Sequence, residues 1–274
     1  MKRFEGKVAF ITGAARGQGR SHAIKLAEEG ADIIALDICD QISTVFYPMA
    51  TKEDLAETEE LVKAVGGKIV TYVGDVRRRE DVVEAYKLGV EAFGHVDVVL
   101  PNAGIMPVIP PGDENQAWFD GIDTLLTGVW NVLDVIVPGM IERGKGGAIV
   151  ITSSTAGLSS LGLNLLPGQA AYVAAKHGVV GLMRLYAQQL GQYNIRVNTV
   201  HPCGVDTPMV SNDEYTAFAG ANPEIAASAR FNNALPQRKI EAIDISNAIA
   251  YLASDDARYV TGVTFPVDAG FLLK

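Results

Sequence analysis

A doubly wound α/β fold in one domain, with a parallel sheet of about seven strands covered by helices on both faces, is what this sequence predicts. Three observations carry that reading. Short apolar runs alternate with segments of helical period along the whole chain. The runs are apolar at successive positions, as strands covered on both faces must be. The first run ends on a glycine-rich turn that opens a helix and then a second strand with a terminal acid, a βαβ unit of about thirty residues.

Residues 7–12 (KVAFIT) form the first strand, and the turn Thr12-Gly13-Ala14-Ala15-Arg16-Gly17-Gln18-Gly19 follows it. The glycine spacing is G-x-x-x-G-x-G rather than the general G-x-G-x-x-G. Gly13, Gly17 and Gly19 still permit close backbone approach, and the helix N-terminus presents N–H groups to a pyrophosphate. Arg16 and Gln18 ride in the same loop. The helix passes Ile24 and Leu26 and stops near Gly30, and the second strand, 32–36, ends at Asp37 and Ile38. A carboxylate there accepts the ribose hydroxyls of NAD and repels the 2′-phosphate of NADP. Arg16 pulls the other way, because a guanidinium can pair with that phosphate; its plainer role is to pin the loop. A pocket holding Asp37 penalises the phosphate in either case, so NAD is the expected cofactor. Cys39 reads as a small, semi-buried residue without chemistry.

Residues 40–50 look irregular, with Pro48 as a breaker. A helix starts at Thr51, whose pairing with Asp54 resembles a capping box. A third strand, 68–73, ends at Gly74-Asp75-Val76; Asp75 is suited equally to bonding an adenine amino group and to capping the next helix, 79–93. The fourth strand, 96–100, leads into Pro101-Asn102-Ala103-Gly104. Ala103 and Gly104 leave room for a ring, and Asn102 can tie neighbouring strands together. After a proline-rich loop, 105–112, a long helical pattern covers about 116–143, with Pro138 expected to break or bend it.

The fifth strand, 147–152, runs into Ser153-Ser154 at the carboxyl edge of the sheet, where ligands bind in open α/β folds. A turn or capping role is the plainer reading of Ser154. Residues 170–187 then read as a buried amphipathic helix carrying Tyr172 and Lys176. Positions i and i+4 share a helix face, so phenol and ammonium point the same way. A nearby cation favours the phenolate, which is expected to lower the Tyr172 pKa toward the working pH of a general acid/base. A sixth strand, 195–200, leads through His201, Pro202, Cys203, Val205 and Thr207 to Met209. Residues 205–237 are expected to form a short, mobile, partly helical lid, before a helix over 242–253 and a last strand over 263–267.

A net charge of −9 argues against nucleic acid or an anionic membrane as partner. The mean hydropathy of +0.16 and 48% hydrophobic residues suit a sheet covered on both faces. Two cysteines give no disulfide framework, and the basic start MKRFEGK precedes an apolar run too short for a signal sequence. No unbroken apolar stretch of about 18 residues appears. A cytoplasmic location is expected. His22, His95, His177 and His201 show no metal-ligand spacing, so no metal is expected and structural roles are assigned to them.

Taken in order, Thr12-Gly13-x3-Gly17-x-Gly19, Asn102-Ala103-Gly104, Ser154 and Tyr172-x3-Lys176 resemble the short-chain dehydrogenase/reductase family over the whole chain, 1–274, as a single Rossmann-like domain. GAARGQGRSHA, ALDIC, YPMATKEDLAET and YVAAKHGVVGLMR are similar to its carveol dehydrogenase-like, mycofactocin-associated members, as is the extra segment after the second strand. The resemblance implies that Ser154 polarises the substrate oxygen, that Tyr172 exchanges the hydroxyl proton, and that Lys176 binds the nicotinamide ribose and depresses the tyrosine pKa. It also places the cofactor against Gly13, Arg16, Gly17, Gln18, Gly19, Asp37, Ile38, Asp75, Val76, Asn102, Ala103, Gly104, Pro202, Val205, Thr207 and Met209. It further implies a tightly held NAD reoxidised by an external redox carrier, and a homotetramer.

The chain departs from the family pattern in three places. Leu125 stands where a catalytic asparagine belongs in Thr124-Leu125-Leu126-Thr127-Gly128-Val129, and Asn131 lies too far along to replace it. The interval from Ser154 to Tyr172 carries an apolar surplus around 161–168, beside the expected substrate cleft. Pro101 replaces a frequent asparagine. The expected activity is interconversion of an apolar secondary alcohol and its ketone with NAD, a cyclic terpenoid alcohol fitting best. An NADP-dependent ketoacyl or steroid reductase is the second reading, and a non-catalytic NAD-binding redox sensor, supported only by Leu125, the third.

Overall fold

The computed structural model describes residues 2–109, 112–159, 162, 164–221 and 233–273. Seven parallel strands, β1 (Val8–Thr12), β2 (Asp32–Asp37), β3 (Ile69–Val73), β4 (Val98–Leu100), β5 (Gly147–Thr152), β6 (Ile195–Pro202) and β7 (Thr264–Val267), form one sheet in the order β3-β2-β1-β4-β5-β6-β7. The order reverses between β1 and β4, and the crevice at that switch point is where ligands bind in such sheets. The predicted strands are all present, with ends within two residues of those expected.

The helices are α1 (Gly17–Glu28), α2 (Lys52–Ala64), α3 (Arg79–Phe93), α4 (Glu114–Ile122), α5 (Gly128–Arg143), α6 (Pro167–Leu190), α7 (Asp213–Ala221) and α8 (Ala242–Ala253). One apolar layer packs α1 and α8 on the sheet through Leu26, Ile33, Ile245 and Leu252. The opposite layer packs α3, α5 and α6 through Val82, Leu133, Ile136, Val179 and Met183. The Thr51–Asp54 capping box at the head of α2 is formed in both directions.

Pro138, expected to break or bend the long helix, does not break it: α5 continues through that residue to Arg143. The interruption falls earlier, at a π-helical turn over Asp123–Thr127 where the Gly128 N–H reaches the Asp123 carbonyl. By length and composition Glu114–Arg143 also meets the requirement for crossing a membrane, but 56% of its most apolar window is buried inside the protein, as in a core helix. Pro110, Pro111, Leu161, Leu163 and lid residues 222–232 lie outside the described residues.

Candidate active site

The crevice begins where β1 gives way to α1. Gly13 has φ +67°, and a Cβ on it would stand 2.7 Å from the Ala103 Cα. A Cβ on Gly19 would meet the Gly13 carbonyl oxygen at 1.9 Å. Only glycine therefore lets this turn close against the start of the helix. Asn102 clamps the floor as expected: its Nδ2 donates to the Thr12 carbonyl at 3.1 Å, and its Oδ1 accepts from Thr152 Oγ1 at 3.2 Å, linking β1 to β5.

A cleft of about 140 Å³ opens above this floor, lined by Gly13, Arg16, Gly17, Gln18, Gly19, Asp37, Ile38, Asp75, Val76, Asn102, Ala103, Gly104, Thr207 and Met209. All of these were expected at a dinucleotide. Asp37 is 7% exposed and accepts N–H bonds from Ala15 at 2.9 Å and Cys39 at 3.1 Å. Burial raises its pKa, and the two N–H groups pull the other way. Arg16 donates to the Pro48 carbonyl, the loop-pinning role. Asp75 caps no helix: Arg77 grips it at 2.8 Å through Nε and reaches Asp120 at 2.9 Å through Nη1. Two buried oxygens on residues of this wall, Gln18 Oε1 and Thr124 Oγ1, have no hydrogen-bond partner among the described residues. The close-approach glycines, the carboxylate at the end of β2 and these unpaired oxygens fit a bound dinucleotide.

A second cavity, of about 400 Å³, shares Gln18, Thr207 and Met209 with the first. Ser154, Tyr172, Pro202 and Val205 line this second cavity and not the first. Met106, Val108, Val210, Phe218 and Phe271 make much of its wall apolar. Lys176 lies behind it, 6% exposed, with Nζ donating to the Thr152 carbonyl at 2.9 Å, while Ser153 Oγ donates to the Lys176 carbonyl at 2.9 Å. These two bonds staple α6 to the end of β5 and hold Tyr172 beside Ser154.

The electrostatics correct one expectation. Burial pushes the Tyr172 phenol up from its ordinary value, and a hydrogen bond from Ser154 offsets this only in part. Spacing alone suggested that Lys176 would lower it. The ammonium lies 5.7 Å from the ring centre, and burial takes Lys176 itself down to about 8. Cys39, pushed up to about 12 chiefly by burial, is inert as expected.

A family model described as enoyl-(acyl carrier protein) reductase matches residues 13–272. The chain belongs to the short-chain dehydrogenase/reductase family. An uncharacterized oxidoreductase of Mycobacterium tuberculosis is 54% identical over 98% of this chain and 97% of its own length. The (−)-trans-carveol dehydrogenase of Rhodococcus erythropolis is 45% identical, with both chains covered completely. The crystal structure of carveol dehydrogenase from Mycobacterium avium in complex with NAD superposes with a TM-score of 0.91 at 47% identity, covering 100% of each chain.

In this short-chain dehydrogenase/reductase Leu125 is 1% exposed, and a Cβ on Gly104 would stand 3.1 Å from its Cδ2. It packs against Gly104 at the π-helical turn. Asn131 instead supports the wall of the first cleft, donating to the Val76 carbonyl at 2.8 Å. Sequence reasoning missed the contribution of the irregular segment: Ile42, Tyr47, Met49 and Ala50 line the nucleotide cleft. Ile42, Val45, Tyr47 and Ile105 form an apolar cluster against which Met49, Met106 and Met209 pack. Its only sequence trace is a concentration of apolar and aromatic side chains in a segment without period.

Proposed function

We propose that the protein is an NAD-dependent alcohol dehydrogenase or carbonyl reductase acting on an apolar secondary alcohol, with cyclic terpenoid alcohols of the carveol type as its substrate class. The observation that carries this reading is the common wall: Ser154 and Tyr172 face an apolar cavity that shares Gln18, Thr207 and Met209 with the nucleotide cleft. That shared wall supports a reading in which a substrate carbon lies next to the cofactor in a largely apolar enclosure.

Bound NAD supplies the hydride acceptor. Ser154 holds the substrate oxygen with its hydroxyl, and Tyr172 removes the hydroxyl proton at its phenolic oxygen in oxidation or returns it in reduction. Lys176, anchored on Thr152, binds the nicotinamide ribose and supplies positive charge behind Tyr172. Asp37 accepts the adenosine ribose hydroxyls and repels a 2′-phosphate, which favours NAD over NADP. The apolar cluster built on residues 42–47 and Ile105, beside the cleft, would help to retain a bound dinucleotide. Trp130 and Leu185, 42% and 55% exposed, support a homotetramer, and the free thiols Cys39 and Cys203 fit a reducing cytoplasm.

Purified protein incubated with carveol and a dye acceptor tests the reading. Bleaching of the dye is expected, together with release of NAD from the denatured protein. NAD found without bleaching for any cyclic secondary alcohol would remove the substrate class; absence of dinucleotide binding would remove the function.

A further inference from the structure

We propose that His201 is a positioning residue for Ser154, an inference that rests on the role of Ser154 in the proposed reaction. The ladder between β5 and β6 ends at the pair Thr152 and Val200, and its last hydrogen bond runs from the Ser153 N–H to the Val200 carbonyl at 2.9 Å. Ser154 is therefore the first residue that the sheet no longer holds. The next residue of β6 is His201, fully buried, and its Nδ1 lies 2.8 Å from the Ser154 carbonyl oxygen. The imidazole thus reaches one position beyond the backbone ladder.

Chemistry fixes the direction of that contact. A carbonyl oxygen only accepts, so Nδ1 carries the hydrogen. Nε2 of the neutral ring is then the acceptor, and it takes the hydroxyl hydrogen of Thr199 Oγ1 at 2.8 Å. Burial lowers the His201 pKa to about 4, which keeps the ring neutral and this tautomer in place. The Ser154 carbonyl also accepts the Gly157 N–H at 2.9 Å, and Ser154 Oγ accepts the Ala156 N–H at 3.2 Å. His201 and Thr199 set the plane of the peptide after Ser154; the short turn that follows sets the hydroxyl. Release of the His201 bond lets that peptide rotate and carries Oγ away from Tyr172 and the substrate oxygen, where a shift of about 1 Å costs on the order of 100-fold in rate.

Three variants of the full-length protein test this. His201→Leu keeps bulk and removes the donor; His201→Asn offers an amide N–H near the place of Nδ1; Thr199→Val removes the group that orients the ring. With carveol, kcat of His201→Leu is expected to fall by about 10- to 100-fold while the NADH Kd stays within about twofold, and His201→Asn to recover most of the loss. A second readout needs no substrate. Ultraviolet difference titration against Tyr172→Phe reports the Tyr172 phenolate, and its midpoint is expected to rise in His201→Leu and return in His201→Asn, because the Ser154 bond that lowers it is lost and regained. Wild-type kcat and an unmoved midpoint in His201→Leu overturn the proposal, as does an asparagine variant no better than leucine. If His201→Leu does not fold, Thr199→Val decides by the same midpoint. A wild type inactive on every alcohol sinks the proposed function, and the Tyr172 titration still judges His201.

Discussion

Lys176 directs its ammonium at the Thr152 carbonyl, 2.9 Å away, and stands 5.7 Å from the ring centre of Tyr172. It anchors the helix end as much as it serves the phenol. Burial holds the phenol above its ordinary pKa and takes the lysine down to about 8. Alcohol oxidation requires the phenolate, whose fraction grows with pH while the solution is below the phenol pKa. Oxidation is therefore expected to accelerate by about tenfold per pH unit on that limb, and the reverse reduction, which uses the protonated phenol, to show no such rise. Initial rates in both directions between pH 6 and 10 check this. An oxidation rate already level at pH 7 would mean that the phenol titrates below its ordinary value despite its burial.

Leu125→Asn restores the side chain that the family pattern places at this position. The leucine is fully buried at the π-helical turn, so an amide there loses packing and finds no assured partner, a destabilisation of about 2–4 kcal/mol. Lys176 already has its anchor on Thr152 without help from residue 125. The expected outcome is a lower melting temperature and no gain in kcat. A large gain would show that the leucine limits a proton route out of the site.

The sheet and most of the residues that line the cleft at its carboxyl edge were legible because each rests on local chemistry. Apolar runs, a glycine turn and a terminal acid sit within a few residues of one another. Tyr172 and Lys176 were legible for the same reason, since helix period fixes their shared face. What periodicity cannot carry is burial: the spacing predicted proximity of a cation to the phenol, but desolvation decides the direction of the pKa shift. Contacts distant in sequence were equally silent. Arg77 bridges Asp75 to Asp120 on another element, Thr44 reaches that same Asp120, and His201 carried no spacing that linked it to Ser154. The π-helical turn was hidden because Asp123–Thr127 keeps an ordinary helical pattern of side chains.

Thr44 ties the segment over the cofactor cleft to α4 by donating to Asp120 Oδ2 at 2.7 Å. Asp120 keeps Arg77 and Gln116 when that hydroxyl is removed. Thr44→Val is therefore expected to cost about 1 kcal/mol of closure, which corresponds to roughly fivefold faster release of the nucleotide. Stopped-flow displacement of bound NADH measures the rate directly. Equal release from wild type and variant would mean that the segment does not gate the cleft.

Asp37 makes a separate prediction because its carboxylate holds two backbone N–H groups besides facing the cleft. Asp37→Asn keeps one acceptor oxygen and removes the charge. NADH affinity is expected to drop by about tenfold, through loss of a charged hydrogen-bond acceptor, while NADPH affinity rises as the repulsion disappears. Fluorescence titration with both nucleotides gives the ratio. Wild-type protein binding NADPH as tightly as NADH would reverse the assignment of Asp37.

Two fully buried histidines set the response to acid. Burial takes His22 down to about 3 and His201 down to about 4, from an ordinary value of 6.5. Between those values and 6.5 the unfolded chain binds more protons than the folded one, so stability rises with pH across this window and is lost as pH falls through it. Each histidine contributes about 2 kcal/mol to the difference between pH 6.5 and pH 5, at 1.36 kcal/mol per pH unit. Guanidinium unfolding at pH 7 and pH 5 is expected to show a clear fall in midpoint, and His22→Asn a smaller one, because one of the two titrating groups is gone. A midpoint unchanged between the two pH values would mean that both imidazoles accept protons in the folded protein, and the neutral tautomer assigned to His201 would fall with it.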